Sequence, residues 1–234
     1  MTKKHEFHRP DLDDADRIAA YHKIKQDLQR IIPVNGAILD VGANIGQFAL
    51  EILSILPDIK LYSFEPVPDA YEELKSLSEK HHQVIPIKKA ISLQNGQSTF
   101  YVTASDVGSS LLEPLPNQKS KWLTLDKKVS VETIRLDAFI KSENLGEGIS
   151  LLKSDAQGND LDVILSLGDF LKPNFVKVIL VETNFTNFYH GQQNYYDIFS
   201  TLDNAGYRMA WMYPHRAHDE WLWCADVLFI GKQS

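Results

Sequence analysis

Cysteine is nearly absent from this chain: Cys224 is the only one in 234 residues. That excludes an internal disulfide and any zinc cluster built on cysteines. Long apolar runs are absent too. None approaches the ~20 residues a membrane-spanning helix needs, so no span is expected. There is no basic block either. With 24 Lys and Arg against 31 Asp and Glu, the formal net charge is −7. Such a chain is a poor electrostatic partner for nucleic acid, although a local basic groove is compatible with it. The first residues, MTKKHEFHRPDLDD, carry two lysines with no apolar segment behind them. They do not read as a secretory signal, and a cytoplasmic protein is the simplest expectation. Repeats and low-complexity tracts are also missing.

What is present fits one soluble α/β unit: 44% hydrophobic and 24% charged residues, near the globular average. Aromatics number 11 Phe, 9 Tyr and 4 Trp, and three of the four Trp crowd into the last 24 residues. Residues 1–35 read as a loose arm followed by an amphipathic helix, with Ile18, Tyr21, Leu28 and Ile31/Ile32 near helical spacing and Pro33 as the stop. This helix is expected to cover a sheet edge or to make a homo-oligomer contact. Residues 36–234 read as a single domain.

Within it, strands at 37–41, 60–64 and 84–91 alternate with helices at 46–56 and 69–80. Continuous apolar strands separated by helices imply a parallel sheet covered on both faces. Asn95-Gly96 between 90–93 and 98–102 predicts a two-residue hairpin. Residues 103–128 lack a period and predict a lid, Trp122 included, or a surface insertion. A strand at 129–136 follows. The alternation resumes with strands at 149–153 and 176–181 and helices at 160–171 and 195–205, then closes on strands at 207–213 and 222–230.

The first strand-to-helix loop reads Asp40-Val-Gly-Ala-Asn-Ile-Gly46, and Glu65 ends the next strand, 23 residues after Gly42. Gly42 permits a sharp turn and close ligand approach. A carboxylate at Glu65 can accept both hydroxyls of a ribose. The pattern predicts a nucleoside-type ligand at the carboxyl ends of parallel strands. A pyrophosphate loop wants G-x-G-x-x-G, but Asn44 and Gln47 occupy two of those glycine positions. Asp40 suits a ligand bearing an ammonium group, such as the methionine part of S-adenosylmethionine. A methyl donor is therefore favoured; a dinucleotide and a purely structural turn stay as alternatives.

These residues, with Ser63-Phe-Glu-Pro66, Ala90-Ile-Ser92, Leu152-Lys-Ser-Asp-Ala-Gln-Gly158, Val181-Glu182 and Gly206-Tyr207, resemble the FkbM-type S-adenosylmethionine-dependent methyltransferases over roughly residues 36–210. Asp160 stands where that family more often has Glu. The resemblance implies a class I, Rossmann-like methyltransferase fold: a mostly parallel seven-stranded sheet with one antiparallel strand and helices on both faces. It also implies methylation of hydroxyls on sugars, polysaccharides or natural products. It adds Pro66 and Ala90 to a donor-binding set of Asp40, Gly42, Asn44, Gly46 and Glu65.

Lys153 and Asp155 lie two apart at a strand end and share a face. A buried lysine there needs a carboxylate partner, from Asp155 or from Glu182 at the end of the next strand. Methyl transfer to a weakly acidic hydroxyl profits from a base. Asp155 is the first candidate, followed by Glu182 and His190, with Lys153 in support. A purely structural ion-pair network is the competing reading. Asp155, Asp160 and Glu182 also offer hard oxygen ligands that suit Mg²⁺. Aromatics and amides interleave over 183–196, and Trp211, Tyr213, His215, Arg216, His218 and Trp221 follow. Together they suggest a pocket for a small-molecule or glycan acceptor, although Phe185, Phe188, Trp211 and Trp223 taken singly read as core.

Overall fold

The computed structural model describes residues 14–116, 123–218 and 221–232, without the side chains of 14–17, 106 and 215–218. The expected N-terminal arm and Trp122 lie outside the described residues, as do the side chains of His215, Arg216 and His218. Among the described residues no helix is long and apolar enough to cross a membrane.

The expected alternation folds as follows. Helix α1 spans Asp14–Ile31, β1 Ala37–Val41, α2 Gln47–Leu53, β2 Leu61–Phe64, α3 Pro68–Lys80 and β3 Val84–Ile87. A three-stranded insertion contains β4 (Ala90–Ile91), β5 (Gly96–Thr103) and β6 (Leu125–Ile134). Then come α4 (Leu136–Ser142), β7 (Ile149–Ser154), α5 (Asp160–Leu165), β8 (Val176–Asn184), α6 (Tyr195–Asn204), β9 (Tyr207–His218) and β10 (Trp221–Gly231). The main sheet has the order β3-β2-β1-β7-β8-β10-β9. Only β10 runs against its neighbours, the one antiparallel strand that the resemblance implies.

β1, β2 and β7 are buried at every position, which is why they read as unbroken apolar runs. Alternate residues serve two cores. Leu39, Phe64 and Leu152 pack under α4, α5 and α6, whereas Ile38, Leu61 and Leu151 pack under α1, α2 and α3. Chain order reverses between β1 and β7, and such a switch point leaves a crevice at the strands' carboxyl ends.

Three expectations are corrected. On α1 the expected Leu28 is buried together with Ile24, as is Ile32 just past the helix end, but Ile18 and Tyr21 are exposed. The helix lies against β9, where the Tyr213 hydroxyl donates to Asp27 Oδ2 at 2.8 Å. The strand expected over 84–91 is two strands: β3 is an edge of the main sheet, where Pro86 needs no ladder donor, and β4 belongs to the insertion. Asn95-Gly96 makes no hairpin. β6 lies between β4 and β5, pairing parallel with the first and antiparallel with the second. Val131 of β6 supplies the apolar partner that Ala90, Phe100 and Val102 need, and Asn95 Oδ1 instead accepts the Arg135 N–H at 2.8 Å. In the segment expected to be a lid or a surface insertion, the part up to residue 116 is tied at two places: Ser110 bridges to Tyr101 and Pro114 to Tyr189.

Candidate active site

The crevice at the switch point is a cavity of about 500 Å³, within the usual range for a small-molecule site. Its floor is the loop after β1, the end of β2 and the loop after β7; the insertion roofs it through Phe100, Val102 and Thr103. Gly42 sits at φ +75°, and a Cβ there would run into the backbone carbonyl of Asp155. The two loops can touch only because this residue has no side chain.

Glu65 is buried, and each of its oxygens holds one amide: Oε2 accepts from Asn44 N at 2.9 Å, Oε1 from Val67 N at 2.8 Å. Burial pushes its pKa up to about 7, against the pull of those two hydrogen bonds. Each oxygen keeps a second lone pair for a ligand hydroxyl. Asn44 also lines the cavity, and its Oδ1 is buried with no hydrogen-bond partner. A buried orphan acceptor of this kind asks for a donor from a ligand. The residues present therefore fit the nucleoside half of S-adenosylmethionine. Gly42, Pro66 and Ala90 line the same cavity.

Asp40 and Gly46 do not line it. Gly46 faces Leu74 and Leu77 of α3. Asp40 is fully buried beneath the cavity, and the ammonium it meets is internal: Lys153 Nζ lies 3.3 Å from Asp40 Oδ1. The same ammonium donates to Gly42 O at 3.0 Å, sits 3.6 Å from Asp155 Oδ2 and lies over the Phe48 ring. Burial alone would lower the Lys153 pKa; the Asp40 and Asp155 carboxylates outweigh it and raise it. Lys153 is thus a fixed cation supporting the loop after β1, with no proton to exchange near neutrality.

Asp155 lines the cavity with a partly exposed side chain. Glu182 borders a small neighbouring cleft. Gln157, which the sequence reading passed over, joins them: its Nε2 donates to Asp155 Oδ1 at 2.6 Å and to Glu182 Oε2 at 2.8 Å. The signal for it was its place between Asp155 and Gly158.

Asp160 is committed elsewhere. It accepts from Ser154 Oγ at 2.6 Å, Ala156 N at 2.9 Å and Gly158 N at 3.2 Å, and so shapes the loop after β7. Burial raises its pKa to about 6. Among the described residues no cluster of three or more His, Cys, Asp or Glu could hold a metal, so the Mg²⁺ expectation finds no ligand set there. His190 is exposed and away from the cavity, its backbone N–H donating to Glu113 O at 2.8 Å.

The residues of the expected acceptor pocket divide between the core, the surface and the small cleft beside Glu182, which Asn184, Gln192, Gln193 and Tyr195 also line. Phe188 and Tyr189 are buried with Leu123, and Trp223 packs on Phe188 edge-to-face at 5.8 Å. Tyr213 is buried under α1, and Trp211 and Trp221 are exposed but not at the cavity.

Comparison with known proteins agrees with this geometry. The Methyltransferase FkbM domain model matches residues 40–209. The 2-O-methyltransferase NoeI of Sinorhizobium fredii (strain NBRC 101917 / NGR234) is 29% identical, over 75% of this chain and 73% of its own length. Methyltransferase sdnD of Sordaria araneosa is 28% identical, over 74% and 82%. Among solved structures, an FkbM methyltransferase from Methylobacillus flagellatus KT superposes with a TM-score of 0.54 at 10% identity, covering 94% of this chain and 55% of that one. Aeropyrum pernix fibrillarin, solved with natively bound S-adenosyl-L-methionine, gives 0.51 at 13% identity, covering 97% of this chain and 85% of its own. The chain belongs to the FkbM methyltransferase family, and its methyl donor is S-adenosylmethionine.

Proposed function

We propose that the acceptor is a hydroxyl of a carbohydrate or a glycosylated small molecule, and that Asp155 takes its proton. The observation that carries this reading is one cavity holding both Glu65, with lone pairs for ribose hydroxyls, and the Asp155 carboxylate. S-adenosylmethionine supplies a methyl group already activated on a sulfonium: as the hydroxyl oxygen bonds to that carbon, the carbon–sulfur bond breaks and S-adenosylhomocysteine leaves. The chain's part is to align the two reactants and to receive the proton. Glu65 and Asn44 hold the donor, and Asp155 stands at the switch point as the acid–base group. The relative NoeI is named a 2-O-methyltransferase, which supports oxygen as the atom methylated.

The test is radiolabelled methyl transfer from S-adenosylmethionine to a panel of methyl glycopyranosides. Transfer to at least one is expected. Asp155→Asn should then lower kcat by about 100-fold, the scale of lost general-base help, with little change in S-adenosylhomocysteine affinity. Full turnover in that variant would remove Asp155 from the chemistry.

A further inference from the structure

We propose that Gln157 is a positioning residue of the methyl-transfer centre, fixing the Asp155 and Glu182 carboxylates beside the donor cavity. The proposal rests on the reading of Asp155 as proton acceptor. Its first support is the amide geometry. Gln157 Nε2 carries two protons and faces two carboxylates, at 2.6 Å and 2.8 Å. A flipped amide would set its oxygen against both anions, so the orientation is dictated by the chemistry. Gln157 Oε1 lies 3.1 Å from the Tyr189 hydroxyl, which is also 3.0 Å from Gly108 O. That hydroxyl has one proton to share between these two acceptors, so the amide is held by both protons of its nitrogen and contacted at its oxygen.

The second support is the backbone. Gln157 has φ +51°, the left-handed region, where long side chains are uncommon and cost energy. Gly or Asn would suit this φ better, but Gly has no amide and Asn is one methylene shorter. The neighbouring Gly158 completes the arrangement, since a Cβ there would stand 2.8 Å from the Tyr189 ring.

The third support is placement. Gln157 lines the donor cavity together with Asp155. Its bond occupies Asp155 Oδ1 and leaves Oδ2, the oxygen 3.6 Å from Lys153, to meet an acceptor hydroxyl. The Tyr189 hydroxyl sets the loop after β8 against the same amide, and Gly108 of the segment after β5 is the other acceptor sharing its one proton. The carboxylate's position is thereby linked to two loops that border the reacting centre.

The experiment uses the full chain with ¹⁵N in its glutamine side chains. The Gln157 amide pair is assigned by its loss in Gln157→Gly, a variant that relieves the positive φ. That pair is expected to shift in Asp155→Asn and in Glu182→Gln, and to stay in place in His190→Ala. Calorimetry with S-adenosylhomocysteine is expected to give nearly unchanged affinity in Gln157→Gly. Neither measurement requires an acceptor. On a glycopyranoside that is methylated, kcat should fall by about 10- to 100-fold in Gln157→Gly, with partial recovery in Gln157→Asn. Adding Gln157→Gly to Asp155→Asn should cause no further loss, as for residues acting in one unit. An amide pair unmoved by Asp155→Asn, or an affinity loss matching the loss of turnover, would overturn the positioning role. Full turnover in Asp155→Asn with the amide shift present would overturn the proton-acceptor reading instead.

Discussion

Glu65 is the residue whose chemistry is most exposed to pH. Burial raises its pKa from 4.5 to about 7, so near neutrality the ligand-free protein carries a proton there part of the time. Ribose hydroxyls are donors and are best met by the ionised form. Binding below about pH 7 must therefore expel that proton. The affinity for S-adenosylhomocysteine is expected to weaken by up to about tenfold per unit as pH falls below 7, and to level off above it. Calorimetry in two buffers of different ionisation enthalpy would show proton release at pH 6 and none at pH 8. Glu65→Gln should bind more weakly at pH 8 and lose the dependence. The same shift acts on the fold with the opposite sense. A carboxyl held above its unfolded value favours the native state below about pH 4.5, and that contribution is lost as pH rises through about 7. A flat affinity from pH 6 to 8 would contradict the assigned role.

Among the elements, α1 offers a sharp comparison between two apolar residues on one helix. Leu28 is 1% exposed against the α2 and β9 side of the core, whereas Ile18 is 58% exposed. Leu28→Ala is expected to cost about 2–5 kcal/mol through lost burial and the cavity left behind; Ile18→Ala should stay within about 0.5 kcal/mol. Urea denaturation of both variants measures the difference. The helix itself was legible in the spacing, but its inward face depends on where β9 lies, nearly two hundred residues away. The same division holds elsewhere. β1, β2 and β7 announce themselves because burial on both faces leaves an unbroken apolar run. The insertion does not, since Asn95-Gly96 looks like a local turn and the true partner, β6, arrives only after thirty residues. That Glu65, Asn44 and Asp155 would line one cavity could be read from loop chemistry. The commitments of Asp40 to Lys153 and of Asp160 to its own loop could not, because a carboxylate's partner is set by packing in three dimensions.

At the scale of the whole molecule, an acidic chain of net charge −7 buries the Lys153 ammonium in the middle of its sheet, next to Asp40 and the cavity-lining Asp155. Lys153 on β7 joins the end of β1, through Asp40 and Gly42, to the loop bearing Asp155. Two stretches of the chain, 40–42 and 153–155, meet on one charge. A buried carboxylate deprived of its counter-ion is costly, so Lys153→Met is expected to destabilise the protein by about 3–5 kcal/mol. Removing both charges should restore much of this, because neither partner then remains buried alone; Lys153→Met with Asp40→Asn is the variant to compare. The pH dependence distinguishes this account from simple misfit of the methionine. Burial already raises the Asp40 pKa, with Lys153 opposing it; without the cation the shift grows. A carboxyl whose native pKa lies above its unfolded value stabilises the fold at low pH and loses that contribution as pH rises through the native value. Lys153→Met should therefore approach wild-type stability in acid and fall away from it toward neutrality, while the double variant keeps a near-constant offset. Parallel urea midpoints for wild type and Lys153→Met across that range would show that the ammonium is not what holds Asp40 in the sheet.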